Sequence, residues 1–251
     1  MKIIDVNCAV GAPLKSERFT TLEGLYKWMD DYQIDSAVTY QAESIREPEP
    51  YNLEMCQIAA ESGGRLRACL MLNPSLENLG LPGEGTPVER LKKLRPSAVR
   101  IFPDEQQYIF DPFYCEEVLK VCQQLRLPLI VTKWPYDQLF FHCLPEVAKA
   151  YPDVPIILPR AGQNKSRYYF PILQKLPNVY LDMSIALDVG WVEEVCKRFG
   201  SHRLLFGSGM PAYEPSGAFG LLYYSNISDE EKENIAHANF ERLEGGIRYD
   251  D

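Results

Sequence analysis

Histidine is scarce in this chain. Only His142, His202 and His237 occur in 251 residues, too few and too scattered for the imidazole clusters that hold a catalytic zinc. Seven cysteines are present, Cys8, Cys56, Cys69, Cys115, Cys122, Cys143 and Cys196, with no Cys-x-x-Cys pair among them. Neither a zinc ribbon nor a disulfide framework is encoded, and the cysteines read as small buried hydrophobes in a reducing compartment. Apolar runs never approach the roughly 20 residues needed to span a bilayer. Met1-Lys2-Ile3-Ile4-Asp5 reaches a charge too early for a signal peptide, so the expectation is a cytoplasmic protein. Positive charge is also short, with 26 basic against 35 acidic residues and a net charge of −9. That balance argues against nucleic acid and against anionic membranes as partners. Gly-x-Gly-x-x-Gly, Walker and Gly-x-Ser-x-Gly motifs are missing, and Gly207-Ser208-Gly209 has no histidine beside it. Dinucleotide, nucleotide and serine-hydrolase chemistry are therefore not expected, and no cofactor is called for.

What is present is an alternation. Near-continuous apolar runs at Lys2–Cys8, Ser36–Tyr40, Arg67–Leu72, Ala98–Phe102, Leu127–Thr132, Pro155–Leu158, Asn178–Asp182 and Arg203–Phe206 read as strands covered on both faces. Between them lie segments with helical spacing: Leu22–Tyr32, Tyr51–Ser62, Val88–Leu94, Tyr114–Leu125, Leu139–Ala150, Arg167–Leu176, Val189–Phe199 and Asp229–Phe240. Ala42–Pro50 and Asn73–Thr86 read as long loops. Eight βα units fill a chain of the length, about 250 residues, that a barrel needs. The expected fold is α/β, a single TIM-type (β/α)₈ barrel over residues 1–251. The open doubly wound sheet is disfavoured because no glycine-rich turn follows the first strand.

A barrel carries its chemistry at the C-terminal ends of its strands. Those ends read Asp5-Val6-Asn7-Cys8-Ala9, Thr39-Tyr40-Gln41, Leu72-Asn73-Pro74, Arg100-Ile101-Phe102, Thr132-Lys133-Trp134, Pro159-Arg160-Ala161, Asp182-Met183-Ser184 and Leu205-Phe206-Gly207-Ser208-Gly209-Met210-Pro211. The last of these, together with Asn239-Phe240-Glu241-Arg242-Leu243, resembles the amidohydrolase superfamily. The branch it is similar to is amidohydrolase 2, the type of aminocarboxymuconate semialdehyde decarboxylase. The resemblance implies a barrel that holds one divalent metal on an Asp-x-His-x-His first strand, histidines ending the fifth and sixth strands, and an aspartate on the eighth. Here those five positions fall on Asn7, Ala9, Thr132, Arg160 and Gly209. Every one departs from the pattern, so the expectation is that no metal is bound.

Three cations are placed to take over the metal's role as a positive centre: Arg100, Lys133 and Arg160. Arg160 and Asp182 are the candidate catalytic residues, with Asp182 as general base. Arg100, Lys133, Asn7, Thr132, Tyr40 and Ser208 are the candidate substrate-binding residues, and Asn73 and Gln163 could add hydrogen bonds. Structural alternatives stand beside these. Arg100 could form a salt bridge with Asp5 or Asp182, Lys133 could turn outward by strand alternation, and Asp182 could pair with Arg160. Cys8 ends the first strand without a histidine to activate it. The function these residues point to is a metal-independent hydrolase or decarboxylase for a small anionic, carboxylate-bearing molecule. The alternative is a non-catalytic barrel that binds a metabolite or serves as a scaffold subunit. The outer helices leave a homodimer open.

Overall fold

The computed structural model describes residues 1–11, 20–161, 166–185 and 188–250. Eight parallel strands form one sheet in sequence order, β1 (Ile4–Val10), β2 (Ser36–Gln41), β3 (Leu66–Met71), β4 (Ala98–Ile101), β5 (Leu129–Val131), β6 (Ile156–Leu158), β7 (Val179–Asp182) and β8 (Leu204–Leu205). The barrel closes just beyond β8, where Val6 N donates to Phe206 O at 3.0 Å and Ala9 N to Met210 O at 2.9 Å. The fold is the expected TIM-type (β/α)₈ barrel.

The apolar runs behave as parallel strands because both faces are buried. Along β4 and into the residue after it, Ala98 and Phe102 face the barrel interior, while Val99 and Ile101 face the helices. Arg100 shares the inward register of Ala98 and Phe102. The interior cluster also takes Ile4, Val6, Val38, Met71, Ile130, Ile157 and Leu205.

Around the sheet lie α1 (Leu22–Asp31), α2 (Pro48–Glu61), α3 (Pro87–Leu94), α4 (Glu116–Leu125), α5 (Gln138–Ala150), α6 (Ser166–Lys175) and α7 (Trp191–Phe199). Then follow α8 (Ser216–Tyr224), α9 (Asp229–Glu233), a π-turn over Asn234–Ala238 and α10 (Asn239–Glu244). Two sequence expectations need correction. The segment Ala42–Pro50 is not an open loop: Ala42–Ile45 is a 3₁₀ turn and α2 begins at Pro48, where proline suits the first helical turn. The continuous last helix, Asp229–Phe240, is interrupted by the π-turn.

The C-terminal motif has a structural job. Asn239 is fully buried, and its Nδ2 donates to Ser201 O and Leu204 O at 2.8 Å each. Arg242 Nη2 donates to His202 O at 2.8 Å. Together they pin α10 to the start of β8, and Phe240 and Leu243 pack with the interior cluster. The motif thus seals the barrel opposite its functional end. No helix among the described residues is long and apolar enough to cross a membrane.

Candidate functional site

The first strand is built to turn a polar side chain inward. The register of β1 against β2 slips between Asp5 and Cys8, the mark of a bulge. Asp5, fully buried, holds that bulge: its Oδ1 accepts from Asn7 N and from Ser208 N, both at 3.0 Å. This carboxylate staples the first strand to the chain leaving the eighth. Ser208 is fully buried, with its Oγ accepting from Met210 N at 3.1 Å and lying 3.8 Å from Cys8 Sγ. It belongs to the same staple, behind the strand. Burial, with Asp5 adding to it, pushes the Cys8 thiol well above its ordinary pKa, so it is no nucleophile as it stands.

Arg100 is the centre of the site. It is 1% exposed, yet among the described residues no carboxylate lies within salt-bridge distance of it. The expected alternatives of a bridge to Asp5 or to Asp182 are not formed. Instead Nη1 donates to Asn7 Oδ1 at 3.0 Å and to Thr132 Oγ1 at 3.1 Å, and Nη2 donates to the same Asn7 oxygen at 3.0 Å. The guanidinium lies over the Tyr40 ring, 4.5 Å from its centroid. Asn7 Nδ2 in turn donates to Ser184 Oγ at 3.2 Å. A permanent cation is therefore held between two of the positions where the family resemblance places metal ligands.

Arg160 sits above, half-buried, in the left-handed region at φ 64°. That conformation costs a non-glycine residue roughly 1–2 kcal/mol. It persists because both neighbours are tied. Tyr136 Oη lies 2.9 Å from Pro159 O, and Ala161 N donates to Asp182 O at 2.9 Å. The guanidinium lies against two rings, Tyr213 at 5.0 Å and Trp134 at 6.0 Å. Burial pushes the Tyr40 hydroxyl's pKa up, and the charges of Arg100 and Arg160 pull against it. Arg160→Gly is expected to be more stable than Arg160→Ala by about 1 kcal/mol, since only glycine relieves the backbone strain; chemical denaturation of the two variants measures it.

Asp182 is fully buried at the end of β7. Its Oδ1 accepts from Ser184 N at 2.5 Å, and its Oδ2 has no hydrogen-bond partner among the described residues. Burial raises its pKa from 3.8 to about 6; the nearby Asp5 charge adds to the rise, while hydrogen bonding to Ser184 and the Arg100 charge oppose it. It does not pair with Arg160. Gly207 makes its position available, because a Cβ there would stand 2.5 Å from Asp182 Oδ1.

Lys133 takes the outward course that strand alternation allowed. It forms ion pairs with Asp104 and, at 3.2 Å, with Asp137. Burial works against its charge, but the two carboxylates outweigh it and raise its pKa. Asn73 forms a turn, accepting from Ser75 N at 3.0 Å, and Gln163 lies outside the described residues. The structure thus gathers Asn7, Tyr40, Arg100, Thr132, Arg160 and Asp182 and leaves Lys133 and Ser208 at the edges. Sequence reasoning missed Trp134, Tyr136, Gly207 and Tyr213. The signal for Gly207 was its place immediately after an expected strand end, and for Trp134 its place two residues beyond one.

These residues do not suit a divalent metal. Among the described residues no group of three or more His, Cys, Asp or Glu side chains is arranged to hold one. At the fifth ligand position Gly209 has φ 74°, and a Cβ there would meet the Tyr213 ring at 2.8 Å. The ring that carries Arg160 takes the space a β8 carboxylate would need.

No curated protein matches the chain. Solved structures do, at low identity. A putative amidohydrolase from Staphylococcus aureus superposes with a TM-score of 0.74 at 16% identity, covering 98% of this chain and 100% of that one. The 2,6-dihydroxybenzoate decarboxylase from Rhizobium gives 0.71 at 14% identity, covering 98% and 99%. A dihydroxybenzoic acid decarboxylase from Polaromonas sp. JS666, solved with bound manganese and the inhibitor 2-nitroresorcinol, gives 0.68 at 16% identity and 97% coverage of both chains. These likenesses establish the fold. The amidohydrolase 2 family model, described as Amidohydrolase, matches residues 75–243, about two thirds of the chain, including β4 to β8 and the Asn239–Leu243 motif. With that match added to a barrel closed through β8 and sealed by α10, the chain belongs to the amidohydrolase family.

Proposed function

We propose that this family member is a metal-independent hydrolase or decarboxylase that acts on a small carboxylate-bearing molecule in the cytoplasm. The observation that carries the reading is Arg100. Its buried guanidinium is fixed by neutral partners, Asn7 and Thr132, so its charge is not cancelled by a contacting carboxylate and draws an anion into a low-dielectric site. Arg160, nearer the mouth, is the group placed to grip that anion directly. Asp182 supplies proton chemistry. With a pKa near 6 it exchanges a proton close to neutral pH. In decarboxylation the substrate's C–C bond breaks, carbon dioxide leaves, and protonated Asp182 delivers a proton to the carbanion. In hydrolysis ionised Asp182 takes a proton from the attacking water, and the arginines stabilise the oxyanion.

The test is a thermal-shift and calorimetric screen of small carboxylates, followed by turnover assays on those that bind. Wild type is expected to respond to at least one carboxylate, and Arg160→Ala to lose about 1.5–3 kcal/mol of its binding, the worth of a charge-assisted hydrogen bond. Unchanged affinity and turnover in Arg160→Ala would sink the reading.

A second reading is favoured by one observation. Lys133, the third expected cation, is engaged by Asp104 and Asp137, so it is not free to work beside Asp182. The carboxylate that neighbours Asp182, Asp5, is held by the Asn7 and Ser208 amides, and on that reading the barrel binds a metabolite without turning it over. Steady conversion of any bound carboxylate, abolished by Asp182→Asn, decides against it.

A further inference from the structure

Away from the barrel mouth, α5 and α6 enclose a groove of about 300 Å³ on the outer wall. Its floor is apolar and flat: Phe141 and Tyr168 stack at 4.3 Å with 12° between their planes, and Pro145 and Pro171 flank them. Its rim carries Lys149, Arg167 and Lys175, all exposed. None of the three forms an ion pair with another described residue. A local cluster of exposed cations over aromatic rings is unusual on a chain of net charge −9. It fits a partner with an aromatic knob set among carboxylates.

The same chain displays such a knob. At the end of α8, Tyr224 is 89% exposed and Tyr223 44%. Lys232 Nζ donates to Tyr223 O at 3.0 Å, which holds α9 against this end of α8. That helix opens with Asp229, Glu230 and Glu231, and Asp229 and Glu230 are exposed. One face of the molecule is thus apolar and basic, and another is aromatic and acidic. With β7, α7 and β8 lying between them along the chain, the two belong to separate sectors of the barrel wall.

We propose that the α5/α6 groove receives the α8/α9 corner of a second copy of this chain in a head-to-tail contact. Tyr224 enters over the Phe141–Tyr168 stack, and Asp229 and Glu230 face the lysines. The contact is heterologous, so each copy offers both a donor and an acceptor surface, and growth continues until a ring closes. One tyrosine and two carboxylates meeting a single groove make a smaller contact than the roughly 800 Å² per partner of a stable interface. Association is therefore weak and concentration-dependent, and salt weakens it. The inference stands apart from the chemistry of the barrel mouth.

Sedimentation velocity at low salt, over a concentration series of the full chain, tests it. Two exposed-surface variants are needed: a groove variant, Lys149→Glu with Lys175→Glu, and a corner variant, Tyr224→Ala with Glu230→Ala. The wild type is expected to associate as concentration rises. Each variant alone is expected to stay monomeric with a melting temperature like the wild type's. An equimolar mixture is expected to form heterodimers and stop there, because one intact groove meets one intact corner. A wild type that is monomeric throughout overturns the proposal. So do variants that associate like the wild type, whose interface would then lie elsewhere, and a mixture that remains monomeric. Should the corner variant fail to fold, Tyr224→Ala alone serves in its place.

Discussion

Arg100→Met is expected to fold and yet to lose most of the affinity for carboxylates. Methionine roughly preserves the volume of the side chain and removes a desolvated charge. Replacing buried charge by a packed apolar group is often neutral or stabilising. Against this stand Asn7 Oδ1 and Thr132 Oγ1, which lose their donor, at about 1–3 kcal/mol for each acceptor left unsatisfied. The two effects are of similar size, so net stability should change by no more than about 2 kcal/mol. Binding has no such compensation. A unit charge about 6 Å from a bound carboxylate, at an effective dielectric of about 20, contributes close to 3 kcal/mol, or about 100-fold in affinity. Isothermal titration of the carboxylate with the strongest thermal shift reads both variant and wild type. A loss under about threefold would mean that Arg100 only packs the barrel.

Asp182→Asn should stabilise the protein in a pH-dependent way. The folded-state pKa of Asp182 is about 6, against an ordinary 3.8. Below pH 3.8 the carboxyl is protonated in both folded and unfolded chains, and its burial carries no ionisation cost. As pH rises from 3.8 through 6 the unfolded chain releases its proton first, so folding loses stability across that window. Above pH 6 the loss is complete, about 3 kcal/mol at 1.36 kcal/mol per pKa unit. Asparagine removes this dependence while its oxygen can still accept from Ser184 N. Urea denaturation at pH 4 and pH 8 should show the variant's advantage growing by about 2–3 kcal/mol between the two. A pH-independent difference would mean that Asp182 titrates as an ordinary carboxylate. The same substitution is expected to abolish turnover, which fits a buried acid retained at the expense of stability.

The barrel was legible in the sequence because parallel strands buried on both faces leave apolar runs, and eight alternating βα units with no glycine-rich turn after the first strand favour closure. Each expected strand appears, though β8 shrinks to Leu204–Leu205 as its chain turns into the Gly207–Gly209 segment. The helix α8 escaped because Ser216-Gly217-Ala218-Phe219-Gly220-Leu221-Leu222-Tyr223-Tyr224 has two glycines and no charged face to set a period. The interrupted last helix reads as one because side-chain spacing through a π-turn differs little from that of an α-helix.

At the site, residue types at strand ends were readable, and pairings were not. Arg100 could be placed inside the barrel by alternation, but its choice of Asn7 and Thr132 over Asp5 and Asp182 depends on the β1 bulge that turns Asn7 inward. Asp5 is spent on backbone donors across the β1–β8 seam, which no linear pattern announces. The clasp of Trp134 and Tyr213 on Arg160 joins two loops far apart in sequence. Gly207 and Gly209 serve opposite ends there: the first admits Asp182, and the second yields to Tyr213.

The central claim is that a fixed guanidinium stands where the family resemblance places a metal. Elemental analysis of the protein, purified without chelator after growth in medium supplemented with zinc and manganese, tests it most directly. The account predicts well under one equivalent of any divalent metal per chain. One equivalent of zinc or manganese, retained through dialysis and lost in an Asp182→Asn variant, would contradict it.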